Sequence, residues 1–185
     1  MKGRMRNNIV LIGMRGSGKS TIAKLLAEKV GKKSIDLDAY LVEKTGMTIP
    51  YMVKNYGWEY FRDKESEIAK EAGSLSNTVI AAGGGVILRK ENVAVLGKKG
   101  VFIFLSAAID TLLKRVGEDP NRPAMTIHKT QKEEMEHVLK ERKHLYKQVA
   151  DLVIETTKKE PEEIVKEILL LRHSREGPEA RRPPA

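Results

Sequence analysis

The 185 residues contain no cysteine. That excludes a disulfide scaffold, a thiolate metal centre and a cysteine nucleophile. Aromatic residues are few, with three Phe, five Tyr and one Trp, so aromatic stacking surfaces are scarce. The four His are scattered and show no metal-ligand spacing. No apolar run approaches the ~20 residues of a membrane-spanning helix, because Gly13 and Arg15 interrupt the run that begins at Ile9. Residues 1–8 carry three basic side chains without the apolar stretch of a signal peptide. The expectation is a soluble, unprocessed, cytoplasmic protein with no membrane partner.

What is present suits one folded core. A hydrophobic fraction of 41% with 32% charged residues reads as globular, and the length fits one domain. The formal charge of +9 raises the question of nucleic acid, but more than half of the excess lies before residue 9 or after residue 171. Elsewhere basic and acidic residues interleave, as in Lys132-Glu133-Glu134, rather than clustering on one face. No nucleic-acid partner is expected.

The chain alternates strands and helices. Buried strands are predicted over 8–12, 79–82 and 101–105, with shorter ones at 34–37 and 152–154. Ile22, Leu25, Leu26 and Val30 share one side of a helix that Gly31 ends. Further helices are predicted over 39–44, 49–56, 60–72, from 109 to 116, and over 131–149 and 161–171. This pattern calls for a three-layer α/β/α fold with a central, mostly parallel five-stranded sheet. Ligands in such sheets bind beyond the carboxyl ends of the strands. The segment 117–130, with Pro120 and Pro123, is too long for an idle loop.

Gly13-x4-Gly18-Lys19-Ser20 is a phosphate-loop motif, and it stands between a buried strand and an amphipathic helix, where its mechanism requires it to be. Gly13, Gly16 and Gly18 let backbone N–H groups, that of Ser17 among them, converge on phosphate oxygens at a helix N-terminus. Lys19 reaches the β- and γ-phosphates, Ser20 offers a hydroxyl to Mg²⁺, and Thr21 contacts the α-phosphate. Asp36 and Asp38 follow the second strand, where alternation puts them on one side. One can hold Mg²⁺ through water while the other orients or deprotonates an acceptor hydroxyl; the plain alternative is that both cap the next helix.

Arg62 and Glu65 are three apart on a predicted helix, either as a surface ion pair or as a pair in which Glu65 aims the Arg62 fork at a carboxylate. Gly83-Gly84-Gly85 follows a buried strand and suits close approach of a ligand to backbone. Arg115 and Arg122 flank the Pro-containing loop, and Arg122 is placed to swing over a triphosphate. Arg142 alone reads as helix-surface charge.

The ordered set Gly13 to Thr21, Asp36-x-Asp38, Gly57-Trp58-x-x-Phe61-Arg62-x-x-Glu65, Gly83-Gly84-Gly85, Arg122-Pro123 and Arg142-x-x-Leu145-Tyr146 resembles the bacterial-type shikimate kinases. These are small phosphate-loop kinases related to the nucleoside monophosphate kinases. The resemblance spans residues 8–171. It implies ATP- and Mg²⁺-dependent phosphorylation of the shikimate 3-hydroxyl, on the route to chorismate and the aromatic amino acids, by a monomer. In the family pattern Asp38 binds the shikimate hydroxyls and is the base, while Arg62, Arg142 and the glycines Gly83 to Gly85, chiefly Gly84, hold its carboxylate. Asp36 is a metal-side acid, Arg122 the lid arginine, Arg115 packs on adenine, and Lys159 lines its other side.

The implied organisation is one kinase domain over 1–171, with a lid at about 117–130, substrate-binding helices at about 38–72, and a disordered basic tail over 172–185. The chain departs from the pattern at Ala124 and Met125, where two leucines are common, and at Ala82, where a small hydroxyl residue is common. A gluconate or nucleotide kinase of the same architecture is the alternative.

Overall fold

The structure, a computed structural model, describes residues 6–117 and 130–176. Five strands, β1 (Asn8–Ile12), β2 (Lys33–Asp36), β3 (Thr78–Ala81), β4 (Gly100–Ser106) and β5 (Leu152–Glu155), form one sheet in the order β2-β3-β1-β4-β5. All four pairings are parallel. All five residues of β1 are buried, as a strand covered on both faces requires.

Alternation of side chains splits the core in two. Val10 and Ile12 pack with Ile80, Phe102 and Phe104 on one face, while Ile9 and Leu11 pack with Val79, Ile103 and Leu105 on the other. The second face is covered by α1 (Lys19–Val30) and α7 (Pro161–Glu176). The first is covered by α2 (Leu37–Thr45), α3 (Ile49–Ser74), α4 (Lys90–Gly97), α5 (Ile109–Val116) and α6 (Gln131–Val149). The expected α/β/α layering is what forms. Because β1 lies between β3 and β4, the turns leaving these three strands meet at one edge, with the end of β2 beside them.

Several boundaries differ from the sequence reading. β2 ends at Asp36 and α2 begins at Leu37, because Oδ1 of Asp36 accepts from the N–H groups of Asp38 and Ala39 and caps the helix early. Asp36 and Asp38 are therefore not alternate residues of one strand; the first is the cap and the second lies in the first helical turn. The two helices expected over 49–56 and 60–72 form one run broken only at Gly57, whose φ of 84° departs from helical geometry. The short 3-10 turn Val86–Leu88 and α4 carry too few periodic positions to be read from sequence. Helix α7 continues to Glu176, past the expected end at 171, because neither Gly nor Pro intervenes before Gly177-Pro178. The rest of the proposed tail, 177–185, lies outside the described residues, as do residues 118–129 of the expected lid with Arg122, Ala124 and Met125.

Candidate active site

The phosphate loop leaves β1 and becomes the N-terminus of α1, with Gly18 as the cap. Gly16 has a φ of 79°, and a Cβ there would stand 2.6 Å from the carbonyl oxygen of Leu112, so only glycine fits between the loop and α5. Lys19 curls back over the loop, its Nζ donating to the carbonyls of Gly13 at 3.0 Å and Met14 at 2.9 Å. The Ser20 hydroxyl donates to Oδ2 of Asp36 at 2.5 Å. Asp36 thus caps α2 with one oxygen and meets the phosphate loop with the other. Ser17 is fully buried, which leaves its contribution to the backbone.

These residues line a cleft of about 530 Å³ that runs from Gly16, Lys19 and Thr21 past Asp36 and Asp38 to Arg115 and Lys159. The Arg115 guanidinium is tied to Thr156, donating to its hydroxyl at 3.1 Å and its carbonyl at 2.8 Å. Lys159 is paired with Glu167.

A second, smaller pocket of about 60 Å³ adjoins it, and Asp38 lines both. Here Arg62, Glu65, Gly84, Gly85 and Arg142 converge. Arg62 Nη1 bonds Glu65 Oε2 at 2.7 Å with the two side chains 13% and 4% exposed, so the pair is not a surface ion pair. The rings of Phe61 and Trp58 lie under the guanidinium, at 4.9 Å and 5.5 Å from Cζ to ring centre. Burial raises the Glu65 carboxyl above its ordinary value against the pull of Arg62, and the negative charge of Asp38 adds to the rise. Burial likewise lowers the Arg142 guanidinium, which remains a cation at any working pH.

The glycines after β3 are used differently from the sequence reading. A Cβ on Gly83 would stand 2.7 Å from Oδ1 of Asp38 and 2.8 Å from Oε1 of Glu65, and one on Gly85 would overlap the Arg62 guanidinium. These two glycines make room for the protein's own acid and arginine groups. Gly84, between them, has no such crowding, and its carbonyl accepts from Tyr146 Oη at 2.5 Å and Arg142 Nη1 at 3.3 Å.

A buried pair with one member, Arg15, in this pocket has no local signal. Arg15, inside the phosphate loop, bonds Glu134 of α6 at 2.8 Å with both side chains less than a tenth exposed. Arg15 occupies an unspecified position of the motif, and Glu134 looks like an ordinary acid in the first turn of a helix.

The shikimate kinase family model matches residues 15–171. The chain is 39% identical over 163 residues to a shikimate kinase of Enterococcus faecalis (strain ATCC 700802 / V583), covering 88% of this chain and 96% of the relative. It is 36% identical over 162 residues to one of Psychrobacter sp. (strain PRwf-1), covering 88% and 89%. The chain belongs to the shikimate kinase family. Among solved structures, a shikimate kinase from Acinetobacter baumannii in complex with shikimate superposes with a TM-score of 0.88 at 32% identity, covering 94% of this chain and 96% of that one. Shikimate kinases are ATP-dependent phosphotransferases, and the phosphate-loop cleft beside a cationic pocket suits that chemistry.

No helix among the described residues is long and apolar enough to cross a membrane.

Proposed function

We propose that this member of the family transfers the γ-phosphoryl group of ATP to the 3-hydroxyl of shikimate, giving shikimate 3-phosphate and ADP, as a monomer acting on two small molecules with no nucleic-acid partner. The observation that carries the reading is the meeting of Arg62, Arg142 and the Gly84 turn around Asp38, one step from the phosphate loop. Two planar cations suit a carboxylate, and a single aspartate suits the hydroxyls of a small polyol. A gluconate or nucleotide acceptor makes less use of that pair of arginines in so small a pocket.

In this reading Lys19, Gly16, Ser17, Gly18 and Thr21 hold the phosphates, with Arg115 and Lys159 at the base end. Arg122, which lies outside the described residues, neutralises charge on the transferred group. Asp38 stands where the cleft and the pocket meet, so it lies between donor and acceptor. Its main work is to position the attacking hydroxyl rather than to abstract its proton strongly.

A magnesium ion fits the Ser20 hydroxyl and Asp36 carboxylate, which are hard oxygen donors already in contact at the loop. Among the described residues no group of three or more His, Cys, Asp or Glu is placed to hold a metal. That agrees with an ion held mostly by phosphate oxygens and water. When bound, such an ion offsets negative charge on the phosphates.

The test is ADP release coupled to a reporter, with ATP, Mg²⁺ and shikimate beside quinate, gluconate and nucleoside monophosphates. Shikimate-dependent turnover is expected to vanish without Mg²⁺ and to fall on the order of 10³-fold in Lys19→Met and in Asp38→Asn. Turnover with gluconate or a nucleotide but not shikimate would overturn the assignment of Asp38, Arg62 and Arg142.

A further inference from the structure

Two donors share the Gly84 carbonyl, and they are unequal. The Tyr146 hydroxyl lies at 2.5 Å, at the short end for an O–H···O bond, whereas Arg142 Nη1 at 3.3 Å is beyond the usual N–H···O range. Tyr146 is fully buried, and its ring is stacked on Phe104 of β4 with centres 5.0 Å apart and planes 19° from parallel. The core of the protein therefore sets the direction of its hydroxyl. Burial also pushes that hydroxyl up to about 12, so it is a donor throughout any working range. Arg142, by contrast, is half-buried and lines the acceptor pocket.

We propose that Tyr146 is a positioning residue for acceptor binding: it holds the Gly84 carbonyl permanently, so that Arg142 can leave that oxygen and turn its guanidinium to an anionic acceptor. A carbonyl that lost its last donor inside the protein would oppose that move. With Tyr146 in place the carbonyl keeps a partner whether or not Arg142 stays. The same bond fixes the peptide between Gly84 and Gly85, two residues whose backbone would otherwise turn over readily. This role of Tyr146 rests on the acceptor reading given above, with Arg142 among the acceptor's contacts.

Tyr146→Phe removes the hydroxyl and keeps the ring on Phe104. The expected result is a rise of about tenfold in the acceptor KM, with the ATP KM within twofold and kcat lowered no more than about threefold, the size of one charge-assisted contact made less available. A general loosening of the fold would move both KM values. In an Arg142→Lys background, where no guanidinium has to be released, Tyr146→Phe should add less than threefold, so the two effects fail to multiply.

The proposal is overturned if Tyr146→Phe leaves the acceptor KM within twofold of the parent, if it raises both KM values alike, or if the two substitutions multiply fully. A parent enzyme with no shikimate turnover would instead overturn the functional reading. The same KM split is then measured with whichever acceptor the parent does phosphorylate, and an acceptor KM left unmoved by Arg142→Lys overturns the proposal as well.

Discussion

On the phosphate-loop side, Gly16 through Thr21 are consecutive in the chain and line the cleft together. On the acceptor side, Asp38 comes from α2, Arg62 and Glu65 from α3, Gly84 and Gly85 from the turn after β3, and Arg142 from α6. The first site is a local device, in which a strand, a glycine turn and a helix N-terminus suffice. The second exists only when four distant segments are packed to within a hydrogen bond of one another. The local site should therefore tolerate change in the surrounding helices, while the assembled one should fail whenever a spacing between elements is lost.

The largest expected effect strikes a buried contact between the phosphate loop and α6, the helix that carries Arg142. Glu134→Ala leaves the Arg15 guanidinium buried without its partner, and removal of one member of such a pair costs about 3–5 kcal/mol. Urea unfolding of parent and variant measures it. A loss below about 1 kcal/mol would mean that the two sides are not joined through this pair.

Next comes a change confined to the acceptor side. In Gly85→Ala the new methyl group takes the space of the Arg62 guanidinium, which has to leave Glu65. Loss of a charge-assisted contact of this kind predicts a roughly 10- to 100-fold drop in acceptor kcat/KM. Nucleotide affinity, read by a fluorescent ATP analogue, should hold within about twofold, since the phosphate loop does not depend on Arg62. Equal losses on both sides would erase the distinction between a local and an assembled site.

The smallest effect is a titration. The Tyr146 hydroxyl moves from an ordinary value of 10.0 in the unfolded chain up to about 12 in the fold, because burial disfavours its anion. A group raised in this way contributes its full share of stability below pH 10 and loses it as pH climbs toward 12. At pH 11 the parent should have lost on the order of 1 kcal/mol relative to Tyr146→Phe, compared with the difference between them at pH 8. Parallel curves for parent and variant from pH 8 to 11 would show that the hydroxyl is not held neutral by the core.

What was readable before folding follows the same division. The phosphate loop, its strand and its helix were legible because the motif is contiguous and its flanks carry unmistakable apolar runs. Five strands were placed to within a residue or two, and the helix over Gln131–Val149 to the residue; in the structure Thr130 and Glu133 close a capping box at its start. Helix α4 and the merger of two helices across Gly57 were not legible, because eight residues hold little periodicity and a glycine can end a helix or merely bend it.

At the acceptor side the motif pattern named Arg62, Gly84 and Arg142 and the spacing paired Arg62 with Glu65, but neither told which groups are buried. That Glu65 is buried rather than on the surface, that Gly83 and Gly85 exist to clear Asp38 and Arg62, and that Arg15 reaches Glu134 are tertiary facts. Composition and short-range pattern determined the layers of this protein and the chemistry of its loop, because both depend on neighbours along the chain. Only the packed structure decided which distant charges meet, because burial and pairing depend on separations in space that no local spacing encodes.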